Sequence, residues 1–179
     1  MPELPEVEAA RLIAEERAVG RRIVRVLCAP DPIVFEGVPP ARLRRALLGR
    51  RVLATRRRGK HLWFELDARP WPVFHFGMTG GFHTPDGDDV RLVSTGKRKP
   101  AGWPPRFTKL RLGLDDGGEL VIADARRLGR IRLRHDPPNE PPVSLLGFDA
   151  FLDVPSPRRF AELLRGRTAP IKALQLDPS

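Results

Sequence analysis

The chain has 179 residues with a formal net charge of +10 and 41% hydrophobic residues, which fits one globular domain or one and part of a second. So large a cationic excess suggests a polyanionic partner, nucleic acid being the commonest, with a plain solubility charge as the bland alternative. A single cysteine, Cys28, excludes an internal disulfide and a multi-thiolate metal site, and no apolar run approaches the roughly 18 residues of a membrane span.

The opening Met1-Pro2-Glu3-Leu4-Pro5-Glu6 is the first segment with chemical potential. Loss of Met1 leaves Pro2 with a free secondary amine. An α-amine titrates at about 8, roughly two units below lysine, so far more of it is neutral and nucleophilic at pH 7. Its attack on an aldehyde-like carbon gives an iminium, which is Schiff-base catalysis, and Glu3 and Glu6 stand close enough in sequence to transfer protons. The competing reading is an ordinary frayed terminus. This acidic start also lacks the pattern of a signal peptide, so a soluble intracellular protein is expected.

From Glu6 to Ala18 the spacing predicts a helix. Pro5 starts it, Val7, Ala10, Ala14 and Ala18 share one face, and Gly20 ends it. Ile23–Cys28 alternates like a strand, with Cys28 as a buried core thiol. Pro40–Leu48 reads as a short helix with Leu43, Ala46 and Leu47 inside. Short strands follow at 51–57, 61–66, 73–76, 109–114, 120–123 and 130–134, and Asp115-Asp116-Gly117-Gly118 is a hairpin turn signal. The α+β class follows, as a β-sandwich or barrel flanked by helices. Ser94–Pro105 is expected to be an exposed mobile loop. The prolines of Asp136–Pro142 mark a linker. Ser156 caps a helix through Arg165, and the last stretch begins an amphipathic helix with Ile171, Leu174 and Leu176 and then stops. The expected organisation is a β-sandwich unit over 1–135, a linker over 136–155 and the start of a helical unit over 156–179.

Three internal segments carry chemistry. Arg56-Arg57-Arg58-Gly59-Lys60-His61 sets four cations before a strand, either as a solvated charged face or as a phosphate site that Gly59 lets the backbone approach. Lys60, at the strand mouth, is also placed to carry a proton. His75-Phe76-Gly77-Met78-Thr79-Gly80-Gly81 presents a methionine between glycines. It is either a core residue or an apolar wedge for a base stack. His75 lacks a His or Cys at metal-ligand spacing and is read as structural. Asp124-Ala125-Arg126-Arg127-Leu128-Gly129 puts arginines and a leucine on one turn, as a surface turn or as a reader of an unpaired base edge.

Together these segments resemble the formamidopyrimidine-DNA glycosylase family, within the grouping that includes endonuclease VIII. Met-Pro-Glu-Leu-Pro-Glu, Arg-Gly-Lys-His, His-Phe-Gly-Met-Thr-Gly and Asp-Ala-Arg-Arg-Leu-Gly follow its motif order over essentially the whole chain, and Leu4 and Met78 favour the formamidopyrimidine type. The resemblance implies an N-terminal β-sandwich followed by the beginning of a helix–two-turn–helix domain. It implies removal of oxidised purines such as 8-oxoguanine and formamidopyrimidine from damaged double-stranded DNA, followed by β,δ-elimination at the abasic site. Pro2 would be the nucleophile, Glu3 the acid at the sugar ring oxygen, and Lys60 a phosphate contact that supports elimination. Glu6 would position the lesion, while Met78, Arg126 and Leu128 fill the space of the flipped nucleotide.

This sequence departs from the family pattern in three places. Leu128 stands where Phe is common, and Phe107 where relatives have a DNA-contacting His. Thr168–Leu174 looks like the start of the helix–two-turn–helix, and the family zinc finger is missing, so no cofactor or metal is expected. A monomeric bacterial-type cytoplasmic protein associated with the nucleoid is expected, weak or inactive as this chain alone. The alternatives are a non-catalytic DNA-binding fragment and an RNA-binding barrel. The zero tyrosine count and sparse exposed aromatics argue against the barrel.

Overall fold

The computed structural model describes residues 2–86, 102–149 and 151–165. Helix α1 (Leu4–Ala18) begins two residues earlier than its apolar spacing suggests. The Glu6 carboxylate accepts the Glu3 backbone N–H at 2.9 Å and closes the first turn. Its buried stripe of Val7, Ala10, Ala14 and Ala18 is mostly alanine, so the helix can approach its neighbours closely. It touches strands of both sheets described below.

Strands β1 (Ile23–Cys28), β6 (Thr108–Leu114), β7 (Glu119–Ala123) and β5 (Gly81–His83) form one antiparallel sheet in the order β1-β6-β7-β5. Strands β2 (Val52–Arg58), β3 (His61–Leu66), β4 (Trp71–His75) and β8 (Arg130–Arg134) form the second in the order β2-β3-β4-β8. The expected α+β sandwich is therefore the fold. Between the sheets, Phe64 and Phe74 meet Phe82 of the opposite sheet at ring-centroid distances of 5.7 and 5.4 Å. Helix α2 (Pro40–Leu47) buries Leu43 and Leu47 against β1 and β4. Pro72 is tolerated in β4 because β3 pairs only with Val73–His75, so the missing N–H breaks no bond on that side.

Three expectations change in detail. The three-residue strand β5 falls where the sequence shows only a glycine-rich turn. The span 136–155, expected as a linker, carries two 3-10 turns, at Pro137–Asn139 and Val143–Leu145. Val143 is buried there against Trp63 and Val73, so apolar contact holds these turns on the second sheet. Cys28 is half-buried at the core margin, where burial pushes its thiol up to about 11.

The expected mobile loop falls largely on residues outside those described. Within its described end, Trp103 donates its indole N–H to Glu119. Helix α3 (Pro157–Leu164) is capped by Ser156, whose hydroxyl accepts the Arg159 N–H at 3.2 Å. The continuation at 166–179, with the expected helix start at Thr168–Leu174, lies outside the described residues.

Candidate functional site

One row of backbone pairing gathers the chemical segments. His61 at the start of β3 pairs with His75 at the end of β4, and His75 pairs with Arg130 at the start of β8. Lys60 immediately precedes the first of these residues, the Met78 turn follows the second, and Leu128-Gly129 precedes the third. All three segments therefore leave the second sheet at the same end.

Lys60 sits with Gly59 in the two-residue turn between β2 and β3. Its Nζ lies 2.7 Å from Glu3 Oε2, so the hairpin tip reaches the residue after Pro2. Pro2 is buried and Glu3 exposed. Glu6, through its bond to the Glu3 N–H, holds the peptide beside Pro2 in a fixed orientation. Pro2, Glu3, Glu6 and Lys60 thus form one group.

The turn is braced from behind. Asp149 Oδ2 accepts the Gly59 N–H at 2.6 Å and an Arg57 N–H at 2.6 Å. Arg57 donates back to the Gly59 carbonyl at 3.0 Å and to Glu8 of α1 at 2.8 Å. Burial works to raise the Asp149 carboxyl, but Arg57 and the N–H groups of Phe151 and Gly59 outweigh it and hold the group below the ordinary carboxylate range. Burial likewise opposes the downward pull of Arg11 and Arg57 on Glu8, and the pull wins.

Of the two readings of the Arg56–Lys60 run, a charged face and a phosphate site, the ion pairs bear on each cation differently. Arg56 pairs with Glu65, Arg57 is buried between Glu8 and Asp149, and Arg58 pairs with Asp153. Lys60 is the member of the run that points to the candidate nucleophile.

The second group is the pair of apolar turns. Gly77 has φ +63°, and a Cβ there would lie 2.4 Å from the backbone carbon of Leu128. The Met78 turn and the Arg126–Leu128 turn are therefore in backbone contact, while the Met78 and Leu128 side chains stay 39% and 40% exposed. Arg126 is exposed on the same turn. Arg127 adopts φ +57°, costly for a non-glycine residue. Its guanidinium makes two bonds to Asp31, at 2.9 and 3.1 Å, and Lys109 reaches the same carboxylate at 2.8 Å. Arg127 and, against the opposing effect of burial, Lys109 drive the Asp31 carboxyl far below its usual range.

His75 behaves as a structural residue. Its Nδ1 accepts the Gly77 N–H at 3.3 Å, and its ring lies 4.9 Å from that of His61. Burial, followed by His75 and Arg132, lowers His61 to about 4. Phe107, at φ +62° and 54% exposed, immediately precedes β6, its carbonyl accepting the N–H of Asp124, which opens the Arg126–Leu128 turn, at 3.1 Å.

Residues 1–131 match the formamidopyrimidine-DNA glycosylase N-terminal domain. The chain belongs to the formamidopyrimidine-DNA glycosylase family. A relative of that name from Arabidopsis thaliana is 40% identical over 99% of this chain and 45% of its own length. One from Methylocella silvestris is 35% identical over all of this chain and 61% of its own. The chain thus spans about half of these curated relatives. Among solved structures, a Lactococcus lactis glycosylase of the family in complex with DNA containing an abasic site superposes with a TM-score of 0.77. It is 26% identical, covering 99% of this chain and 61% of that one.

Reasoning from sequence named Pro2, Glu3, Glu6, Lys60, Met78, Arg126 and Leu128 and missed the residues that support them in the fold: Asp31, Thr79, Glu8 and Asp149, together with the carboxylate of Asp124. Only Asp124 had a local signal, an Asp opening a turn whose side chain can bond the backbone two or three residues on. The others act across long sequence separations.

Proposed function

We propose that this chain is the catalytic N-terminal part of a bifunctional DNA glycosylase and abasic-site lyase that acts on oxidised purines such as 8-oxoguanine and formamidopyrimidine in double-stranded DNA. The observation that carries this reading is the 2.7 Å Lys60–Glu3 contact, which sets a cation and a carboxylate beside Pro2. Family membership supports it.

With Met1 removed, the Pro2 nitrogen lone pair attacks C1′ of the damaged nucleotide and the amine gives up its proton. The C1′–N glycosidic bond breaks, its electron pair leaves on the base, and the base takes up a proton. Glu3 protonates the sugar ring oxygen as the C1′–O4′ bond opens, leaving an iminium between Pro2 and C1′. Loss of a C2′ proton then expels the 3′ phosphate, and a further elimination expels the 5′ phosphate. Lys60 stabilises negative charge on the departing phosphate oxygen. Glu6 positions the lesion, and Met78, Arg126 and Leu128 occupy the place of the extruded nucleotide. These steps use side chains and the terminal amine alone, without a cofactor, in a monomer of the bacterial cytoplasm.

Borohydride trapping on duplex DNA with an abasic site tests the reading. The processed chain should form a covalent adduct that Pro2→Gly abolishes, and protein retaining Met1 should form none. Adducts from Met1-retained protein refute Pro2 as nucleophile. DNA binding without any adduct from the processed chain leaves a non-catalytic DNA-binding protein.

A further inference from the structure

The Asp124 carboxylate is 2% exposed and serves two separate turns. Its Oδ1 accepts the backbone N–H groups of Arg126 and Arg127 at 3.2 and 3.1 Å, and its Oδ2 accepts that of Gly129 at 2.7 Å. The same Oδ1 accepts the hydroxyl of Thr79, next to Met78, at 3.0 Å. Three of these bonds shape the turn that carries Arg126 and Leu128. The fourth crosses to the turn that carries Met78.

The backbone contact between Gly77 and Leu128 leaves little room for the turns to slide past each other. Asp31 fixes the outer side of the same turn through Arg127. A purely structural turn needs only the three backbone bonds. The cross-link to Thr79 instead locks two backbones whose apolar tips remain in water. Rigid backing for exposed apolar tips suits insertion into a base stack, because ordering done in advance is not charged against binding.

We infer that Asp124 is a positioning residue that binds the Met78 and Leu128 turns into a single wedge. The inference rests on the proposed role of these side chains in filling the gap of an extruded nucleotide. Asp124 touches neither DNA nor the reacting atoms in this scheme; it acts through the two turns.

The test compares affinity of the full chain for duplex DNA with an abasic site against the same undamaged duplex at low salt. A 2-aminopurine opposite the abasic site reports insertion of the wedge. Asp124→Asn keeps the shape and exchanges one acceptor for a donor. Thr79→Val cuts only the link between turns, and serves if the Asn variant does not fold.

Both variants should lower the abasic-to-undamaged affinity ratio about fivefold to tenfold, the effect of one well-placed hydrogen bond. Affinity for undamaged duplex should hold, because the phosphate contacts are untouched. Neither change should lower the ratio further in a Met78→Ala/Leu128→Ala background, a non-additivity that a loss of general stability would not produce. If both variants keep the ratio while Met78→Ala/Leu128→Ala collapses it, the positioning role of Asp124 is refuted and the wedge stands. If the parent chain does not discriminate, or Met78→Ala/Leu128→Ala leaves the ratio intact, the wedge reading falls and this inference with it.

Discussion

Replacing Asp149 with alanine asks whether the hairpin turn carrying Lys60 is held from behind. The carboxylate is 3% exposed and accepts from Arg57 and from the backbone N–H groups of Gly59, Phe151 and Leu152, at 2.6, 2.6, 2.9 and 3.1 Å. Without it, the buried Arg57 guanidinium retains Glu8 as its carboxylate partner, and the Gly59 N–H loses its acceptor. Breaking one side of a buried ion pair costs about 3–5 kcal/mol, and the surviving Glu8 places this case near the lower end, about 3 kcal/mol. In a chain of this size each kcal/mol lowers the melting temperature by about 2–4 °C, so the expected loss is about 6–12 °C. Thermal melts followed by circular dichroism at pH 7 measure it, with Asp149→Asn expected in between. The Asp149 carboxyl is pulled below its ordinary value. Its contribution is therefore full above the ordinary carboxylate range and fades as pH falls through the lower folded value. The gap between wild type and Asp149→Ala should accordingly narrow toward pH 3. A loss under about 2 °C at pH 7 would mean that desolvation of the pair cancels its attraction, and the bracing argument would fail.

Two further changes probe the same end of the sheet. His61 is lowered to about 4, chiefly by burial and then by His75 and Arg132, so the unfolded chain takes up a proton near pH 6.5 that the folded chain refuses. Stability should be full above about pH 6.5 and fall by roughly 1 kcal/mol per pH unit toward pH 4; His61→Phe should flatten that slope in urea titrations, and an unchanged slope counts against the assignment. Gly77→Ala would put a Cβ 2.4 Å from the Leu128 backbone at φ +63° and should cost about 2 kcal/mol or more. Gly81→Ala, where a Cβ meets nothing within 4 Å, should stay within about 0.5 kcal/mol, and equal urea midpoints for the two variants would contradict the contact.

What could be read from the sequence was whatever local periodicity or fixed spacing encodes. The α1 face of Val7, Ala10, Ala14 and Ala18 followed from helical spacing, and the β6–β7 hairpin from Asp115–Gly118. Strand β5 did not, because a three-residue strand opening on Gly81 is too short to show alternation. The Pro-rich 136–142 stretch looked like a linker because proline punctuates turns and linkers alike. What distinguishes them is the burial of Val143, which depends on a partner surface far away in sequence. The same division runs through the site. The residues nearest the proposed chemistry stand in compact motifs, whereas Arg57 meets Asp149 across 92 positions and Arg127 meets Asp31 across 96. No local pattern marks such pairs.

The distribution of charge shows where compositional reasoning holds and where it fails. Several carboxylates each gather two cations: Asp31 takes Lys109 and Arg127, Glu119 takes Arg25 and Arg111, and Glu36 takes Arg130 and Arg132. A two-to-one cluster keeps a net positive charge, so the long-range field implied by +10 survives this pairing and can still steer a polyanion. Short-range contact is another matter. A guanidinium already bonded to a buried carboxylate can offer a phosphate the same donors only by leaving a partner that burial makes costly to abandon. Arg57 is in that position, while Lys60 pairs with a Glu3 side chain that is 57% exposed, where water can readily replace it. Cation count therefore argues for attraction to a polyanion, and burial of the partner carboxylate decides which cations are free to complete a contact with one.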